Sequence, residues 1–293
     1  MRQPSPDEPA SEGTAPLDIE HLREWVGREE TVSEMVTEAL VSRFRATFDL
    51  PGDARAGEDA PSMIHLCLAP PTAPTSALGP DGHPVRGGFL PPVPLPRRMW
   101  AGGAFTFHGT IRIGETVTRH STVRDVTAKR GRLGDLCFVT VDHRIESDGR
   151  LAIEERHDIV YRAANSKAGT PQPSGEAAPH GTYRVDIEPS AARLFRYSAL
   201  TFNGHRIHYD NPYTRGTEGY PGLIVHGPLQ ATQLVQFATT VRGMHPKRFD
   251  FRSLSPLFDI ADYTLNASED DDGLKLWTSY ADGPVAMDAR ATW

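Results

Sequence analysis

Cysteine is scarce in this 293-residue sequence, which contains only two. Cys67 and Cys137 both lie in apolar, strand-like stretches, a setting that favours buried, reduced thiols, although the sequence alone leaves a disulfide open. A chain of this length buries a core large enough to be stable without disulfides or a structural metal. We therefore expect a fold that depends on its hydrophobic core.

The sequence also lacks long apolar runs and an excess of positive charge. No apolar stretch approaches the length that spans a membrane, and the formal net charge of −7 argues against nonspecific nucleic-acid binding. The first residues, MRQPSPDEPASEG, are acidic and have no apolar centre, unlike a secretory signal or a mitochondrial transit peptide. We expect a cytoplasmic protein with no membrane partner and no nucleic-acid partner.

Proline, glycine and small polar residues divide the chain. Residues 1–16 are rich in Pro, Glu and Ser and are predicted to be a disordered leader. Residues 163–181, AANSKAGTPQPSGEAAPHG, are the clearest linker. This composition predicts two domains, at residues 17–162 and 182–293.

The first half begins with two predicted helices. A short one spans Asp18 to Val26. A second starts at Thr31 and Glu34, which have capping-box spacing, and ends before Pro51. Its apolar face recurs at about 3.6 residues and contains Val32, Met35, Val36, Leu40 and Phe44.

A Pro- and Gly-rich stretch, residues 69–96, follows these helices. It carries Phe89, Leu90, Val93 and Leu95, so we expect an ordered loop packed on the surface rather than a flexible linker. Alternating apolar residues then predict three long strands, at Thr116–Ala128, Leu133–Glu146 and Leu151–Arg162.

The second half repeats this plan without repeating the sequence. A helix starts at Pro228, with apolar residues on one face, and four strands follow it. One long helix followed by a meander of long strands suits an antiparallel sheet curled around a central helix. The sequence therefore predicts an α+β fold that contains this arrangement twice. The helix face is Ala231, Leu234, Val235, Ala238 and Val241, and the strands are Arg248–Leu254, Ile260–Asn266, Leu274–Tyr280 and Val285–Trp293.

Polar side chains concentrate in Phe195–Asp210, FRYSALTFNGHRIHYD. Such a density suits neither a buried strand nor an ordinary helix, and a solvated loop with capping groups is the simplest alternative. Further along the chain, Leu223 to Val225 lead into His226, eighteen residues after His208, and Gly227 at the start of the predicted helix. Free backbone N–H groups there form an oxyanion site for a thioester carbonyl that becomes enolate-like.

The two segments resemble the catalytic motif of the MaoC-like, type 2 enoyl-CoA hydratases, which have the hot-dog fold. That motif is Asp-x-Asn-Pro-x-His, followed about eighteen residues later by an apolar pair and His-Gly. Asn203 stands where the family has its Asp, His205 stands on the Asn, and Arg206 on the Pro. His208 falls on the catalytic His and Gly227 on the oxyanion-hole Gly, with one extra residue between them.

The text TFNGHRIHYD is similar to the branch of the family that includes the mesaconyl-C4-CoA hydratases, where an amide at this Asp position is usual. WVGREETVSEMVTEALVSRFRATFD and RGGFLPPVPLPRRMWAGG in the first half resemble the same branch, so the likeness covers most of residues 20–293. It implies a double hot-dog whose first half lacks the catalytic motif and helps to shape the acyl-thioester pocket.

The resemblance implies hydration or dehydration of an α,β-unsaturated acyl-CoA, such as 3-methylfumaryl-CoA (mesaconyl-C4-CoA) to citramalyl-CoA. His208 would act as base and acid, Asn203 would orient the water with help from His205, and the Gly227 N–H would hold the thioester oxygen. No cofactor is expected beyond the CoA thioester that serves as substrate, and a homodimer is possible. The predicted substrate-binding residues are Arg206, for a free carboxylate, Tyr209, and, for the phosphates and adenine of CoA, Arg97, Arg98 and Trp100. A solvated strand end with a core aromatic is the alternative for the last three.

Other functions remain open from the sequence. His205 and His208, with Asp210 nearby, have a spacing compatible with metal ligands, but no third His or Cys follows at typical spacing, and we expect no metal. A 3-hydroxyacyl-thioester dehydratase of fatty-acid or polyketide type, a hot-dog thioesterase and a noncatalytic acyl-CoA binding module also fit. The acyl group, its carrier (CoA or acyl carrier protein), the direction of the reaction and the oligomeric state are not determined by the sequence.

Overall fold

The computed structural model describes residues 17–131, 134–163 and 176–293. The predicted leader and most of the predicted linker lie outside these ranges. The helices are α1 (Ile19–Arg23), α2 (Glu38–Phe48), α3 (Ala191–Leu200), α4 (Asn211–Gly216) and α5 (Gly227–Arg242), with 3₁₀ turns at Ile64–Cys67, Thr75–Ala77 and Arg206–His208. The strands are β1 (Glu29–Met35), β2 (Arg97–Phe107), β3 (Thr116–Gly131), β4 (Gly134–Ser147), β5 (Arg150–Arg162), β6 (Tyr183–Ile187), β7 (Arg248–Ser253), β8 (Tyr263–Asp270), β9 (Gly273–Ser279) and β10 (Val285–Thr292).

All ten strands form one antiparallel sheet in the order β1-β3-β4-β5-β2-β7-β10-β9-β8-β6. From one outer edge the first half runs β1-β3-β4-β5-β2, and from the other edge the second half runs β6-β8-β9-β10-β7. Each half therefore places its first strand at the edge, followed by its third, fourth, fifth and second strands. In both halves a helix, α2 or α5, lies between the first and second strands in sequence. The predicted repetition of a helix with an antiparallel sheet is therefore present. The two predicted sheets are joined edge to edge through β2 and β7.

Glycine allows the close approach at this join. Gly102 and Gly103 of β2 pair with Arg252 and Phe251 of β7. A Cβ atom on Gly103 would lie 2.4 Å from the Arg156 carbonyl oxygen and 2.9 Å from the Phe251 ring. A larger residue would therefore push the strands apart.

Helix α5 is the central helix of the second half. Its residues are buried without a break from Leu229 to Val235, on all sides, as expected of a helix enclosed by a sheet. The predicted apolar face is confirmed, since Ala231, Leu234 and Ala238 are fully buried. The core around α5 continues to α2 in the first half, where Val41 and Phe44 are equally inaccessible.

The prediction for residues 29–36 was wrong. Thr31 and Glu34 do not cap a helix; they lie in β1, opposite His120 and Val117 of β3. The helix starts later, and its cap is Thr37, whose side-chain oxygen accepts a hydrogen bond from the Leu40 N–H at 3.1 Å. β-branched Thr31 and Val32 suit a pleated strand, and pairing with the long β3 outweighed the local capping pattern.

The Pro-rich segment at residues 69–96 is an ordered loop, as predicted. Val93 and Leu95 are buried in a second core with Leu22 of α1, and Phe89 and Leu90 pack against it. Cys67 and Cys137 are free and buried. Within the described ranges, no helix combines the length and the apolar character needed to cross a bilayer.

Candidate active site

The polar motif forms a tight turn between α3 and α4. Helix α3 ends at Thr201, and Phe202 takes a left-handed conformation with φ of 50°. The Asn203 side-chain oxygen then accepts a hydrogen bond from the His205 N–H at 3.0 Å, and a 3₁₀ turn follows at Arg206–His208. The oxygen of Asn203 is thus occupied in the turn, and the residue lines the cavity described below.

His208 is buried with its tautomer fixed. Its Nδ1–H donates to the Ile224 carbonyl oxygen at 2.8 Å, so Nε2 is the unprotonated nitrogen of the neutral ring. Burial disfavours the imidazolium and lowers the pKa of His208 to about 4, although the hydrogen bond to Ile224 works in the opposite direction. The ring is therefore neutral at pH 7 and able to accept a proton at Nε2.

His226 supports the His208 ring by packing against its face. The two rings stack with centroids 3.6 Å apart and planes 18° from parallel. His226 is buried, and its Nε2 shares a hydrogen bond of 2.8 Å with the Ser198 hydroxyl of α3. Burial places the pKa of His226 well below its ordinary value. The ring is therefore uncharged, and it stacks on His208 without adding a charge beside it.

Gly227 begins α5 directly after His226. No side chain caps this helix end, and the Gln230 N–H is bonded to the His226 carbonyl oxygen at 3.1 Å. Within the described residues, no backbone acceptor is assigned to the Gly227 N–H, which leaves it available to a ligand. A Cβ atom here would lie 3.5 Å from the Trp100 ring, an ordinary contact, so the protein itself does not require glycine at this position.

A cavity of 450 Å³ joins these groups to the first half of the chain. Trp100 forms part of its wall and contacts Phe251 and His157, with ring centroids 4.5 and 4.9 Å away. Because Trp100 lies on β2, beside the join with β7, the cavity is built by both halves. Of the predicted site residues, the cavity is lined by Asn203, His205, His208, Gly227, Arg97, Arg98 and Trp100.

Two predicted binding residues do not line the cavity. Arg206 is bonded to the Asp210 carboxylate at 2.9 Å and stacks over the Tyr213 ring, with its guanidinium carbon 3.9 Å from the centroid. The Tyr209 hydroxyl donates to the Gly204 carbonyl oxygen at 2.9 Å, and the residue is exposed. Both side chains hold the turn together rather than face the space available to a substrate.

The first half contributes residues that the motif did not reveal. His83 lines the cavity and packs against His205, with ring centroids 4.1 Å apart and the ring planes tilted by 42°. Its Nδ1 is bonded to the Asp81 carboxylate at 3.1 Å. Burial alone would raise the pKa of Asp81, but the hydrogen bond and charge of His83 hold it below its usual range.

The loop that carries Asp81 and His83 is bonded tightly to the motif. The Arg206 N–H donates to the Asp81 carbonyl oxygen at 2.9 Å. Gly82 has φ of +87°, and a Cβ atom there would lie 1.9 Å from the Gly204 carbonyl oxygen. The GPDGHP text in this loop is a turn signal, but nothing in the sequence indicates that the turn packs against residues more than a hundred positions later.

The metal set that the sequence left open is not assembled. Asp210 caps α4 through the Tyr213 N–H and binds Arg206, away from His205 and His208. A different group, Asp81, His83 and His205, brings possible ligand atoms within 4.8 Å of one another. Burial, and then the charges of His83 and His208, lower the pKa of His205, so neutral imidazoles face each other here.

The arginines that line the cavity differ in their partners. Arg97 donates to the Glu218 carbonyl oxygen at 2.9 Å and lies 3.6 Å from the Glu218 carboxylate. Arg98 forms no hydrogen bond and no ion pair with any residue in the described ranges of the chain, although it is half-buried. Its charge nevertheless lowers the pKa of His83, after the larger effect of burial.

Comparison with known proteins gives a family and two relatives. Residues 62–259 match the family of hydroxyacyl-thioester dehydratases, type 2. The chain is 43% identical to a mesaconyl-C4-CoA hydratase of Chloroflexus aurantiacus over 266 residues, which are 90% of this chain and 95% of the relative. It is 25% identical to a mitochondrial type 2 hydroxyacyl-thioester dehydratase of Schizosaccharomyces pombe over 260 residues, 78% of this chain and 86% of the relative.

Solved structures confirm the predicted fold. A MaoC-like dehydratase from Phytophthora capsici has a TM-score of 0.67 at 13% identity, covering 94% of this chain and 99% of that one. A protein from Mycobacterium tuberculosis described as a double hotdog fold has a TM-score of 0.56 at 12% identity, covering 91% and 95%. The likeness to these structures establishes the double hot-dog architecture.

Proposed function

Because this chain belongs to the family of type 2 hydroxyacyl-thioester dehydratases, we propose that it reversibly hydrates 3-methylfumaryl-CoA (mesaconyl-C4-CoA) to citramalyl-CoA. The chain is an acyl-thioester hydratase/dehydratase, a hydro-lyase, as predicted from the sequence. The choice of substrate is supported by the 43% identity to a mesaconyl-C4-CoA hydratase.

The proposed mechanism depends on two groups that lie at one cavity. The free Nε2 of His208 and the first N–H of α5 at Gly227 lie at the same cavity. Addition of water to an enoyl thioester needs a base for the water and a donor for the thioester oxygen, which gains charge as the β-carbon is attacked. These two groups meet both needs without a cofactor.

The steps balance with His208 as the only proton carrier. Nε2 takes a proton from water while the water oxygen bonds to the β-carbon, and the electron pair moves to the thioester oxygen, which the Gly227 N–H holds. The protonated ring then returns the proton to the α-carbon and restores the thioester. The Asn203 side-chain nitrogen donates a hydrogen bond that orients the water, since the oxygen already accepts from the His205 N–H, and the amide does not titrate. Dehydration follows the same steps in reverse.

The test is an assay of the purified protein with 3-methylfumaryl-CoA and crotonyl-CoA. We expect loss of the enoyl absorbance and a product heavier by one water in mass spectrometry. Release of free thiol would identify a thioesterase, and binding without turnover would identify a noncatalytic module; either result would refute the proposal. Activity on acyl carrier protein thioesters, with none on CoA esters, would assign the carrier differently.

We also propose that the protein acts as a cytoplasmic enzyme and forms a homodimer. Light scattering coupled to size-exclusion chromatography measures the molar mass in solution. A mass near that of one 32.2 kDa chain would refute the dimer, and fractionation of cells tests the compartment.

A further inference from the structure

Arg98 is a half-buried cation without a partner. It lies on β2 at the cavity wall and forms no hydrogen bond or ion pair with residues 17–131, 134–163 or 176–293. A guanidinium that has lost part of its hydration and gained no anion is unfavourable. A site that retains such a group is suited to a ligand that brings its own negative charge.

Arg97, Arg119 and Arg162 also line the cavity, but they differ from Arg98 in their partners or in their place on the sheet. Arg97 is bonded to Glu218, and Arg119 donates to the Ala69 carbonyl oxygen at 3.0 Å. Within the described residues Arg162 has no partner for its buried Nε, and at the cavity wall it lies at the end of β5, opposite Arg97. Among these cations, Arg98 is the one whose charge acts on His83 and His205.

Arg98 therefore lies near the reacting atoms. It precedes Trp100 by two residues, so the two side chains leave the same face of β2, roughly 6–7 Å apart along the strand. Trp100 is the residue beside Gly227, whose N–H holds the thioester oxygen in the proposed mechanism. His205, which lines the same cavity as Arg98, has its ring centroid 5.5 Å from that of His208.

We propose that Arg98, flanked by His83 and His205, binds a carboxylate on the β-carbon of the enoyl thioester and selects dicarboxylic over fatty enoyl-CoA substrates. This assignment rests on the proposed function, since it places the carboxylate relative to the hydration site. In 3-methylfumaryl-CoA the free carboxylate is attached to the carbon that water attacks. Its partner must then lie beside His208 and not at a remote end of the cavity.

Charge balance supports the assignment. During hydration the thioester oxygen becomes negative while the substrate carboxylate stays ionised, so two anionic groups lie within one small acyl group. A guanidinium beside the carboxylate offsets this repulsion, and its planar fork matches a carboxylate in two hydrogen bonds. Asp81 forms no ion pair with Arg98; its carboxylate is hydrogen-bonded to His83 instead.

A metal ion bound by Asp81, His83 and His205 is the alternative to a substrate carboxylate at this part of the cavity. A divalent cation there would be repelled by Arg98, whereas an anion would be attracted by it. Under the proposal, activity survives dialysis against a chelator. Loss of activity with recovery on addition of zinc would overturn it.

Fumaryl-CoA and crotonyl-CoA provide the direct test, because they differ only in a carboxylate or a methyl group on the β-carbon. For the unaltered protein we expect kcat/KM to favour fumaryl-CoA by roughly 10²-fold or more. Arg98→Met should remove most of this preference, by roughly 10²-fold, and leave the rate with crotonyl-CoA within a few-fold. Arg162→Met is the matched control and should keep the preference.

The outcomes separate this inference from the proposed function. If the unaltered protein hydrates both thioesters equally well, the carboxylate site is refuted while the hydratase assignment stands. If it hydrates neither of these thioesters and does not hydrate 3-methylfumaryl-CoA, the proposed function is refuted, and the carboxylate site that rests on it is refuted as well. If Arg162→Met loses the preference and Arg98→Met keeps it, the carboxylate binds at the end of β5. Should Arg98→Met fail to fold, the preference for fumaryl-CoA over crotonyl-CoA is measured for the unaltered protein and for Arg98→Lys, which keeps the charge. A preference in both supports the carboxylate site, and its absence from both refutes it.

Discussion

His208 and His83 hold their imidazole rings in the same way, although only His208 belongs to the sequence motif. Each uses Nδ1 for a fixed partner, the Ile224 carbonyl oxygen or the Asp81 carboxylate. The sequence predicted His208 because the spacing to Gly227 matches a known pattern. It did not reveal His83, or that His226 of the motif supports the His208 ring, because contact between rings depends on packing and leaves no periodic signal in the chain.

We expect His208→Ala to lower kcat by roughly 10² to 10⁴ while the fold is kept, the range typical for loss of a general acid or base. Steady-state assays with 3-methylfumaryl-CoA measure this, and circular dichroism checks the fold. His120→Ala, at an exposed ring on β3, is the control and should keep full activity. A folded His208→Ala protein with more than about half the normal rate would exclude His208, and His205 would become the candidate.

Asn203→Asp tests the absence of a carboxylate in the motif. Aspartate retains the oxygen that accepts the His205 N–H, so the turn should form, but it adds an anion near His208. An anion stabilises the imidazolium and raises the pKa of His208 from about 4. Since the base must be neutral, activity is lost as pH falls through this pKa, and the acidic limb should move to higher pH.

A pH profile of kcat/KM measures that shift, with Asn203→Gln as an uncharged comparison. If the carboxylate takes over as base, the rate holds or rises instead. An Asp variant as active as the unaltered protein, with its acidic limb unmoved, would show that Asn203 is not beside His208 at the reacting water.

At the scale of elements, most long strands and α5 were predictable because their periodicity is reinforced by burial. The sequence prediction failed at β1, where a capping pattern and an apolar period pointed to a helix, and it omitted β2 and β6. β1 depends on pairing with β3, and β2 carries small and aromatic residues that alternate poorly. Partners far along the chain decide such segments, and local propensity does not contain them.

The N-terminus of α5 is the element that provides the proposed oxyanion site. We expect Gly227→Val to reduce kcat/KM by roughly 10²-fold, by obstructing the thioester oxygen. The protein should still fold, because a side chain there meets Trp100 and Ser253 only at ordinary distances, 3.5 and 3.9 Å from the Cβ position. Thermal melting and kinetics distinguish the two effects, and Gly216→Val, at an exposed position, is the control. Unchanged turnover would place the thioester elsewhere.

At the scale of the whole molecule, the first half fixes the motif of the second through the Gly82 loop. Gly82→Ala introduces a Cβ atom 1.9 Å from the Gly204 carbonyl oxygen, at a φ of +87° that alanine adopts poorly. We expect unfolding free energy to fall by roughly 1–3 kcal/mol and kcat/KM to fall by roughly 10-fold or more, as the loop moves off His205.

Gly88→Ala is the matched control for that change, since it lies in the same loop with open space around it. Denaturant unfolding and kinetics should show almost no change, within about 0.5 kcal/mol. A Gly82→Ala protein with normal kcat/KM would mean that the first half encloses the motif without positioning it.

The join between β2 and β7 also governs how the enzyme responds to dilution. The cavity residues of both halves belong to one covalent chain, so the two parts of the site meet at a fixed effective concentration. The specific activity per chain should then stay constant down to nanomolar protein, whatever larger assembly forms. A site assembled from separate chains would lose activity once its subunits dissociated, and this one keeps its geometry in a single copy.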